Sequence, residues 1–388
     1  MHPRRALQFR TFRILARKAY AARLPRGKVI GKRWRIVRKL GEGGFGAVYK
    51  VEEINTNEFA ALKAEANRER GSVLRLEAMI LKRLTGKPHV AQLLQTGKKE
   101  MYSYIVMTLL GDSLDTVLRK VGKICTVSTQ VRIGINILFG IKQIHDVGFI
   151  HRDLKPANIA LGHKDSLQCR FLHIFDFGLA REYIVTVDGK AKMRRPRPSV
   201  HFRGTIRYCS ANVQERGEQG RMDDLWCLLY ILAELRGPLP WARIQDRNRI
   251  LRMKKDIELD ELLENCPVEM IPFAEHISTL NYYIRPDYAF LHNLLDQVMS
   301  AGGIRFSDPY DWEKNATVSR ETAVSATPVQ SEERRTTSLN SSDGLLLSKE
   351  RTVFIAFLFR HSAPFEVSGE DADNPFPAEF FSHDPLGF

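Results

Sequence analysis

The chain has 388 residues, of which 44% are hydrophobic and 27% are charged, an ordinary composition for a globular protein that buries a core. Lysine and arginine exceed aspartate and glutamate by 59 to 45, and this net charge of +14 favours anionic partners such as nucleic acid, acidic lipid or acidic and phosphorylated protein. No apolar run approaches the roughly 20 residues that span a bilayer, and the five cysteines are scattered without a C-x-x-C pair, so a membrane span and a cysteine metal site are both excluded.

Residues 1–30 form a basic extension, because no acidic residue precedes Glu42 while arginine and lysine recur. Aromatic and aliphatic residues are interleaved among them, so a cationic amphipathic helix is one interpretation and a mitochondrial transit peptide is another, although the stretch has no serine. We favour a flexible basic arm, because runs of charge are usually solvated.

A glycine-rich turn follows the first predicted strand, which begins at Trp34. Residues 41–48 have the pattern G-x-G-x-x-G-x-V, and glycine lets a backbone approach phosphate groups because it carries no Cβ. A dinucleotide-binding turn shares the G-x-G-x-x-G part, but it needs a helix next, whereas residues 48–51 continue as a strand. The pattern therefore predicts a strand-loop-strand lid over phosphates.

Lys63 lies in the next predicted strand, at the distance expected for a lysine that contacts the α- and β-phosphates of a nucleotide. Residues 73–84 carry apolar side chains at helical spacing, and Glu77 lies on that helix. An ion pair between Lys63 and Glu77 would hold the lysine in place. Glu65 and Glu69 are alternatives for this partner, but they precede the helical pattern, and a solvated helix charge is the alternative for Glu77.

Residues 104–111 predict a buried strand that ends at a glycine. A hinge between two lobes would lie there and would present backbone N–H and C=O groups to an adenine ring, although an ordinary core strand has the same pattern. A helical run at residues 131–145 then leads to the most informative stretch of the chain.

Residues 151–158 read H-R-D-L-K-P-A-N and place a carboxylate, a lysine and an amide within six residues. Phosphoryl transfer from ATP needs such a set: Asp153 orients the attacking hydroxyl and accepts its proton, Lys155 stabilises charge on the transferred phosphate, and Asn158 binds a metal ion. Asp176, which begins the sequence D-F-G, adds a second metal ligand.

The segment from Asp176 to about Asn212 is loop-like and basic, and the sequence G-T-I-R-Y at residues 204–208 closes it. An almost wholly apolar helix follows from Asp223, and such a helix is buried. Asp224 at its start is predicted both to cap this helix and to hold the catalytic loop.

Residues 315–388 are rich in serine, threonine and glutamate and then in proline, aspartate and phenylalanine, without sustained periodicity, so we expect them to be largely disordered. The hydroxyl groups between Thr317 and Ser342 permit autophosphorylation and folding back onto a basic cleft, and a passive linker is the equally supported alternative. The aromatic residues from Phe376 onward are compatible with a docking segment, although no motif supports one.

These motifs, in this order over residues 34–314, resemble the eukaryotic protein kinases, and D-L-K-P is the serine/threonine form of the catalytic loop. The usual A-P-E is replaced by residues 210–212, which read S-A-N; together with G-T-I-R-Y and R-P-D-Y this resembles the casein-kinase-one group, so the missing glutamate is a trait of that group. The sequences D-D-L-W at residues 223–226 and D-W-E-K at residues 311–314 are most similar to the tau-tubulin kinase branch.

The resemblance implies an α+β, bilobal protein-kinase fold. A small β-rich lobe would occupy about residues 31–108, and a larger, mainly helical lobe would occupy about residues 111–314. The kinase domain would then be residues 31–314, between the basic extension 1–30 and the largely disordered tail 315–388.

The resemblance also implies cofactors and binding residues. ATP and Mg²⁺ are the implied cofactors, with Asn158 and Asp176 as metal ligands. The residues that would surround the nucleotide are Gly41, Gly43, Gly44, Gly46, Val48, Ala61, Lys63, Glu77, Met107, Leu109 and Leu110. In this group the arginine of G-T-x-R-Y helps form an anion site for substrates; Arg207 matches it, and Arg203 has its counterpart in the tau-tubulin branch. The alternative for Arg207 is an ion pair that holds the loop.

The expected function is that of a serine/threonine protein kinase, which transfers the γ-phosphoryl group of Mg-ATP to protein hydroxyls and favours acidic or pre-phosphorylated substrates, with tubulin and microtubule-associated proteins as candidates. We expect a monomer without a transmembrane segment, in the cytoplasm and also in the nucleus, and active without phosphorylation of its activation segment. A pseudokinase or scaffold is the alternative, and it is disfavoured because Lys63, Asp153, Asn158 and Asp176 are all present. A specific nucleic-acid binder is disfavoured because no RNA- or DNA-binding motif is recognisable.

Overall fold

The structure is a computed structural model that describes residues 23–43, 46–67, 72–122, 124–313 and 374–387. Several sequence predictions lie outside the described residues: most of the basic extension, Gly44 of the glycine-rich turn, Glu69, and the hydroxyl-rich part of the tail. Among the helices in the described ranges, none combines the length and the apolarity that crossing a bilayer requires.

The N-terminal lobe is an antiparallel six-stranded sheet with a helix against it. Its elements are β1 (Val29–Ile30), β2 (Trp34–Gly43), β3 (Gly46–Glu53), β4 (Phe59–Ala66), α1 (Val73–Arg83), β5 (Leu93–Lys98) and β6 (Tyr102–Thr108). The spatial order of the strands is β1-β2-β3-β4-β6-β5. Alternate side chains of β3 are buried, as in a strand with one face on a core, and they pack with residues such as Trp34, Leu62 and Val106.

The glycine-rich sequence ends β2 and begins β3, whose first residue, Gly46, lies close to β4. Gly46 has a φ of +141°, and a Cβ there would lie 2.0 Å from the backbone oxygen of Ala64, so only glycine fits this position. The register of β3 with β4 places Val48 opposite Lys63. Because β3 continues directly from the turn, the prediction of a strand at this place is confirmed and the dinucleotide-binding alternative is excluded.

The C-terminal lobe is mainly helical. Its elements in chain order are β7 (Leu110–Ser113), α2 (Leu114–Val121), α3 (Val127–Asp146), β8 (Phe149–Ile150), β9 (Ile159–Gly162), β10 (Leu172–Ile174), β11 (Arg181–Glu182), β12 (Ile184–Val187), β13 (Lys190–Met193), α4 (Ala211–Gln214), α5 (Arg221–Glu234), α6 (Arg247–Asp256), α7 (Leu259–Leu262), α8 (Met270–Thr279), α9 (Tyr288–Ala301) and α10 (Glu379–Ser382). Helices α3 and α5 are buried along most of their length and pack against each other, and α3 also packs against α9. A sheet lobe followed by a helical lobe confirms the predicted α+β, bilobal protein-kinase fold.

The segment from Asp176 to Asn212 has more regular structure than its sequence indicated. Strands β12 and β13 form a hairpin in which Val187 pairs with Lys190. The two residues between them, Asp188 and Gly189, have φ angles of +53° and +73°. An Asp-Gly pair with positive φ at both positions is the preferred two-residue hairpin turn, so this dipeptide was the signal for the hairpin.

The expected disorder of the tail does not hold for residues 374–387. Phe376 and Phe381 are completely buried against the C-terminal lobe, and α10 packs against α3 and α9. Burying one such ring contributes roughly 1.5–3 kcal/mol, and the two rings together favour the bound segment, an effect that composition alone does not indicate. Residues 314–373 lie outside the described part of the chain.

Candidate active site

The catalytic loop is fixed to the core by one buried carboxylate. The two oxygens of Asp224 accept hydrogen bonds from the backbone N–H groups of His151 and Arg152 at 2.7 and 2.9 Å, and Oδ2 also lies 2.9 Å from Nε2 of His145. Burial raises the pKa of Asp224, but these contacts outweigh burial and lower that pKa below its ordinary value. Asp224 therefore holds the loop, as predicted.

The cap of α5 comes from the neighbouring residue. Asp223, at the third position of the helix, accepts a hydrogen bond from the backbone N–H of Gly220 at 2.7 Å and another from the hydroxyl of Ser210 at 2.5 Å. The prediction that Asp224 caps the helix is therefore wrong, because its carboxylate is fully engaged with the catalytic loop.

Asp153 lies at the centre of the catalytic loop, where three side chains donate four hydrogen bonds to it. Its Oδ2 accepts from Nζ of Lys155 at 2.7 Å and from Nδ2 of Asn158 at 3.2 Å, while the same amide nitrogen donates to the Asp153 carbonyl at 2.9 Å. Its Oδ1 accepts from the hydroxyl of Thr205 at 2.7 Å. A carboxylate that already accepts from a hydroxyl has the geometry of a general base for hydroxyl phosphorylation.

Thr205 was not among the predicted site residues. Its oxygen also accepts a hydrogen bond from Nζ of Lys155 at 3.1 Å, so one hydroxyl contacts both the carboxylate and the cation. The preceding Gly204 has a φ of +119°, and a Cβ there would lie 2.8 Å from the backbone oxygen of Arg152. The Gly-Thr pair within G-T-I-R-Y was the available signal, since it lets this segment approach the catalytic loop.

Lys63 is held between two carboxylates at the other end of the cleft. Its Nζ lies 2.6 Å from Oε2 of Glu77 on α1 and 3.0 Å from Oδ1 of Asp176. Burial alone would lower the pKa of the Lys63 ammonium, but the two carboxylates outweigh it and raise that pKa above its ordinary value. The alternative partner Glu65 instead accepts from Ser72 and from the backbone N–H of Leu74, so it stabilises the start of α1.

The D-F-G residues adopt the arrangement that directs Asp176 into the cleft. Asp176 has a φ of +64°, an uncommon conformation for a non-glycine residue that concentrates at functional sites. Phe177 is buried beneath α1, and its ring lies 5.5 Å from that of His151. Burial raises the pKa of Asp176, but Lys63 outweighs it and lowers that pKa, so the group is a carboxylate.

The donor set fits a divalent cation bound with a nucleotide. Asp176 supplies carboxylate oxygens, and the amide nitrogen of Asn158 is engaged by Asp153, which leaves the amide oxygen for a metal. Hard cations take such oxygen ligands and keep several sites for phosphate oxygens and water. The described residues contain no cluster of three or more histidine, cysteine, aspartate or glutamate side chains that could hold a metal ion.

The strand register gathers the predicted nucleotide residues along one cleft. Val48 lies opposite Lys63, and Ala61 lies opposite Met107, so the lid, the lysine and the end of β6 face the same region. Leu109 is buried and Leu110 opens β7, which places both at the connection between the lobes. Gly41 and Gly43 pair with Val48 and Gly46 in the same turn.

The two arginines of the predicted substrate anion site have different environments. Arg207 forms an ion pair with Glu234, and the hydroxyl of Tyr208 donates to the other oxygen of the same carboxylate at 2.6 Å. Arg203 is exposed, and its backbone oxygen accepts from Gln219 at 2.9 Å. The sequence pattern had no feature that indicated Glu234 as a partner, since it lies 27 residues beyond Arg207 on α5.

Comparisons with known proteins agree with this geometry. The protein kinase domain family matches residues 34–299. The chain is 52% identical over 289 residues to a Caenorhabditis elegans protein named as a candidate serine/threonine-protein kinase, a match that covers 74% of this chain and 84% of the relative. It is 38% identical over 249 residues to the C. elegans inactive tau-tubulin kinase ttbk-6, covering 61% and 86% of the two chains.

A third relative comes from fission yeast. Casein kinase I homolog 2 of Schizosaccharomyces pombe is 31% identical over 294 residues, a match that covers 73% of this chain and 66% of the relative. Both the matched family and the motif order point to phosphoryl transfer from ATP with a divalent metal. The chain therefore belongs to the protein kinase family, in the group of the casein kinase I and tau-tubulin kinase relatives, and is a protein serine/threonine kinase.

Proposed function

We propose that this chain transfers the γ-phosphoryl group of Mg-ATP to serine and threonine hydroxyls, and does not act as a pseudokinase or scaffold. One observation carries the proposal: the hydroxyl of Thr205 donates to Asp153 at 2.7 Å and accepts from Lys155 at 3.1 Å. A substrate hydroxyl in an equivalent position would meet its base and the phosphate-stabilising cation together.

Each residue has a defined part in the transfer. Asp153 orients the acceptor hydroxyl and takes its proton as the oxygen attacks the γ-phosphorus; the bond from that phosphorus to the β–γ bridging oxygen breaks, and ADP leaves with the electron pair. Lys155 stabilises the charge on the transferred group. Lys63, kept in place by Glu77, binds the α- and β-phosphates. Mg²⁺, held by Asn158 and Asp176, neutralises phosphate charge when bound.

Basal activity without activation-segment phosphorylation is part of the proposal. Glu218, whose side chain is only 4% exposed, pairs with Arg197 at 2.6 Å and with Arg181 at 3.3 Å. Burial, and then the positive charges of Arg181 and Arg197, lower the pKa of Arg152 in the catalytic loop to about 10. Glu218 acts in the opposite direction on that pKa, so it places a fixed negative charge near the loop arginine, where other kinases use a phosphate.

We further propose that the substrates are acidic or pre-phosphorylated. Arg203 is exposed and lies two residues before Thr205, which contacts the catalytic residue Asp153. Lys190, Lys192 and Arg195 add positive charge to the same segment. A substrate anion would reach Arg207 by competing with Glu234. Tubulin and microtubule-associated proteins are the substrates to test first, and we propose a monomer in the cytoplasm and nucleus.

A phosphorylation assay with radiolabelled ATP and Mg²⁺ tests transfer. Casein, tau and tubulin serve as acceptors, and Asp153→Asn serves as the control that keeps the nucleotide site. We expect label in the acceptors with the unchanged chain and none with the control. A chain that binds Mg-ATP but labels no acceptor at any Mg²⁺ concentration would establish the pseudokinase alternative instead.

A further inference from the structure

The described C-terminal segment, residues 374–387, lies against both lobes. Phe376 is completely buried, and its ring centroid lies 5.1 Å from that of His89, 5.4 Å from that of Phe139 and 5.9 Å from that of Phe171. His89 belongs to the loop between α1 and β5, and its ring stacks on Phe171 at 4.0 Å. Phe376 therefore completes an aromatic cluster that joins this N-terminal-lobe loop to the C-terminal lobe.

Two further contacts secure the rest of the segment. Phe381 on α10 is completely buried and stacks on His292 of α9 with a centroid distance of 4.1 Å. Asp384 pairs with Arg285 at 3.3 Å, and Leu386 packs against the apolar cluster formed by β8 and β12. The segment is thus bound along its length and is not held by Phe376 alone.

The loop beneath Phe376 is a direct continuation of α1. Its first residues remain bonded to the helix, because the hydroxyl of Thr85 donates to the carbonyl of Leu81 at 3.2 Å. Its carbonyl at Pro88 accepts from the amide of Gln143 on α3 at 2.9 Å. Helix α1 also carries Glu77, the partner of Lys63, so this loop continues directly from the helix that positions that carboxylate.

We propose that residues 374–387 are a positioning segment for nucleotide binding: Phe376 holds the loop after α1 against the C-terminal lobe and so keeps Glu77 beside Lys63. The proposal deepens the proposed function, since Lys63 is the residue that contacts the phosphates. The segment's ring contacts and ion pair go to the α1–β5 loop, α3, α9 and their neighbours, so it acts through α1 and contacts no reacting atom itself.

Deleting residues 374–388 from the full chain tests the proposal. We expect affinity for Mg-ADP, measured by calorimetry without turnover, to fall about 3- to 30-fold, the range typical of such coupling. In a Glu77→Gln background the same deletion should change the affinity much less, because the link through Glu77 is already lost. A purely structural role would lower the melting temperature and leave Mg-ADP affinity unchanged at temperatures where both chains are folded.

Rescue in trans sharpens the test. A synthetic peptide of residues 374–387 should restore Mg-ADP affinity to the deleted chain, and the same peptide with Phe376→Ala should not. A peptide with Glu379→Gln is the matched control, because Glu379 is exposed, and it should restore affinity as well as the natural sequence.

Should the deleted chain fail to fold, Phe376→Leu in the full chain keeps the apolar volume and removes the ring contacts, with the same measurement. Unchanged Mg-ADP affinity in the folded deletion or in Phe376→Leu overturns the proposal. Because the readout is binding, a chain that responds to the segment yet transfers no phosphate would overturn the proposed function and support this inference.

Discussion

Two charged clusters flank the segment that carries Thr205, and they differ in how their charges are shared. Around Asp153, the carboxylate, the Lys155 ammonium and the Thr205 hydroxyl each contact the other two, and the hydroxyl is exchangeable. Around Arg207, the guanidinium is paired with a single carboxylate, Glu234, which also accepts from Tyr208. The first cluster can exchange the Thr205 hydroxyl for another hydroxyl. In the second cluster, Glu234 already neutralises the charge of Arg207.

Substitutions in the two clusters should therefore affect different properties of the protein. A change in the Asp153 cluster should affect turnover with little effect on folding, because its groups have alternative partners. A change in the arginine–glutamate pairs should affect folding or substrate preference, because removing one member leaves the other without its counter-charge. Substitutions of Asp153, Glu218 and Arg207 test this distinction.

The largest effect is expected for Asp153→Asn. Losing the general base should lower kcat by about 10³-fold or more, whereas affinity for Mg-ATP should remain nearly unchanged because Asp153 makes no contact with Lys63 or Asp176. Asp176→Asn should instead abolish metal-dependent ATP binding. Turnover like that of the unchanged chain in either variant would contradict the assignment of these residues.

Glu218→Ala should produce the next largest effect. It leaves Arg181 and Arg197 without their shared carboxylate, so we expect the free energy of unfolding to fall by about 2–3 kcal/mol, less than for a fully buried pair because Arg197 is partly exposed. Chemical denaturation measures this change. Glu218→Gln, which keeps hydrogen-bond acceptance, is the milder matched variant.

Glu218 also bears on activation. Phosphatase treatment of the unchanged chain should leave its activity intact, since Glu218 supplies the negative charge within the fold. Activity that disappears on phosphatase treatment and returns with an upstream kinase would show that the fixed charge is not sufficient.

Substrate preference should respond to the Arg207–Glu234 pair. Arg207→Ala should lower kcat/KM for acidic or primed peptides by up to about 10- to 100-fold and leave a neutral peptide little affected. Glu234→Gln should act in the opposite direction, because it frees the guanidinium for substrate anions. Added salt should weaken both effects.

The outcome for neutral peptides separates the two interpretations of Arg207. An equal loss of kcat/KM on acidic and neutral peptides would mean that the ion pair supports the loop and that Arg207 does not bind substrate anions. Arg203→Ala provides the comparison, since Arg203 is exposed and its loss should reduce only the preference for acidic chains.

A separate effect, on the pH dependence of stability, is expected from two uncharged histidines: His89, whose ring packs against Phe376, and its neighbour His173. Burial, and then mutual repulsion with His173, lowers the pKa of His89 to about 4, and burial lowers that of His173 to about 4. As pH falls from 6.5 towards 4 the unfolded chain binds protons that the folded chain excludes, so the free energy of unfolding should decrease, by up to about 3 kcal/mol per group. Denaturation at several pH values measures this slope, which His89→Asn should reduce.

The parts of the site that were predictable are those whose spacing follows from backbone geometry. Lys63 and Glu77 meet because a strand and the next helix bring them together, and Asp153, Lys155 and Asn158 lie within one loop. Sequence reasoning identified these residues because the motif itself fixes their separation.

The remaining partners depend on tertiary packing and leave no local pattern. No sequence pattern distinguishes Glu234 and Glu218 from other acidic residues, and only the fold brings them to Arg207 and Arg197. Phe376 lies in a stretch whose composition resembles a disordered tail, and its order depends on tertiary contacts such as the aromatic cluster at His89. The capping role expected of Asp224 belongs instead to Asp223, because adjacent residues of a helix point in different directions.

We expect an acceptor to exchange its hydroxyl for that of Thr205 at Asp153, because the Thr205 hydroxyl already contacts this carboxylate and Lys155. Without an acceptor, this hydroxyl donates to Asp153 and accepts from Lys155, so both charged groups have a hydrogen-bond partner in the cleft. An arriving serine or threonine replaces one hydroxyl contact with another of the same kind, and the swap is nearly balanced in free energy. A side chain without a hydroxyl cannot replace the hydrogen bonds that Thr205 makes, so an acceptor residue must supply a hydroxyl of its own.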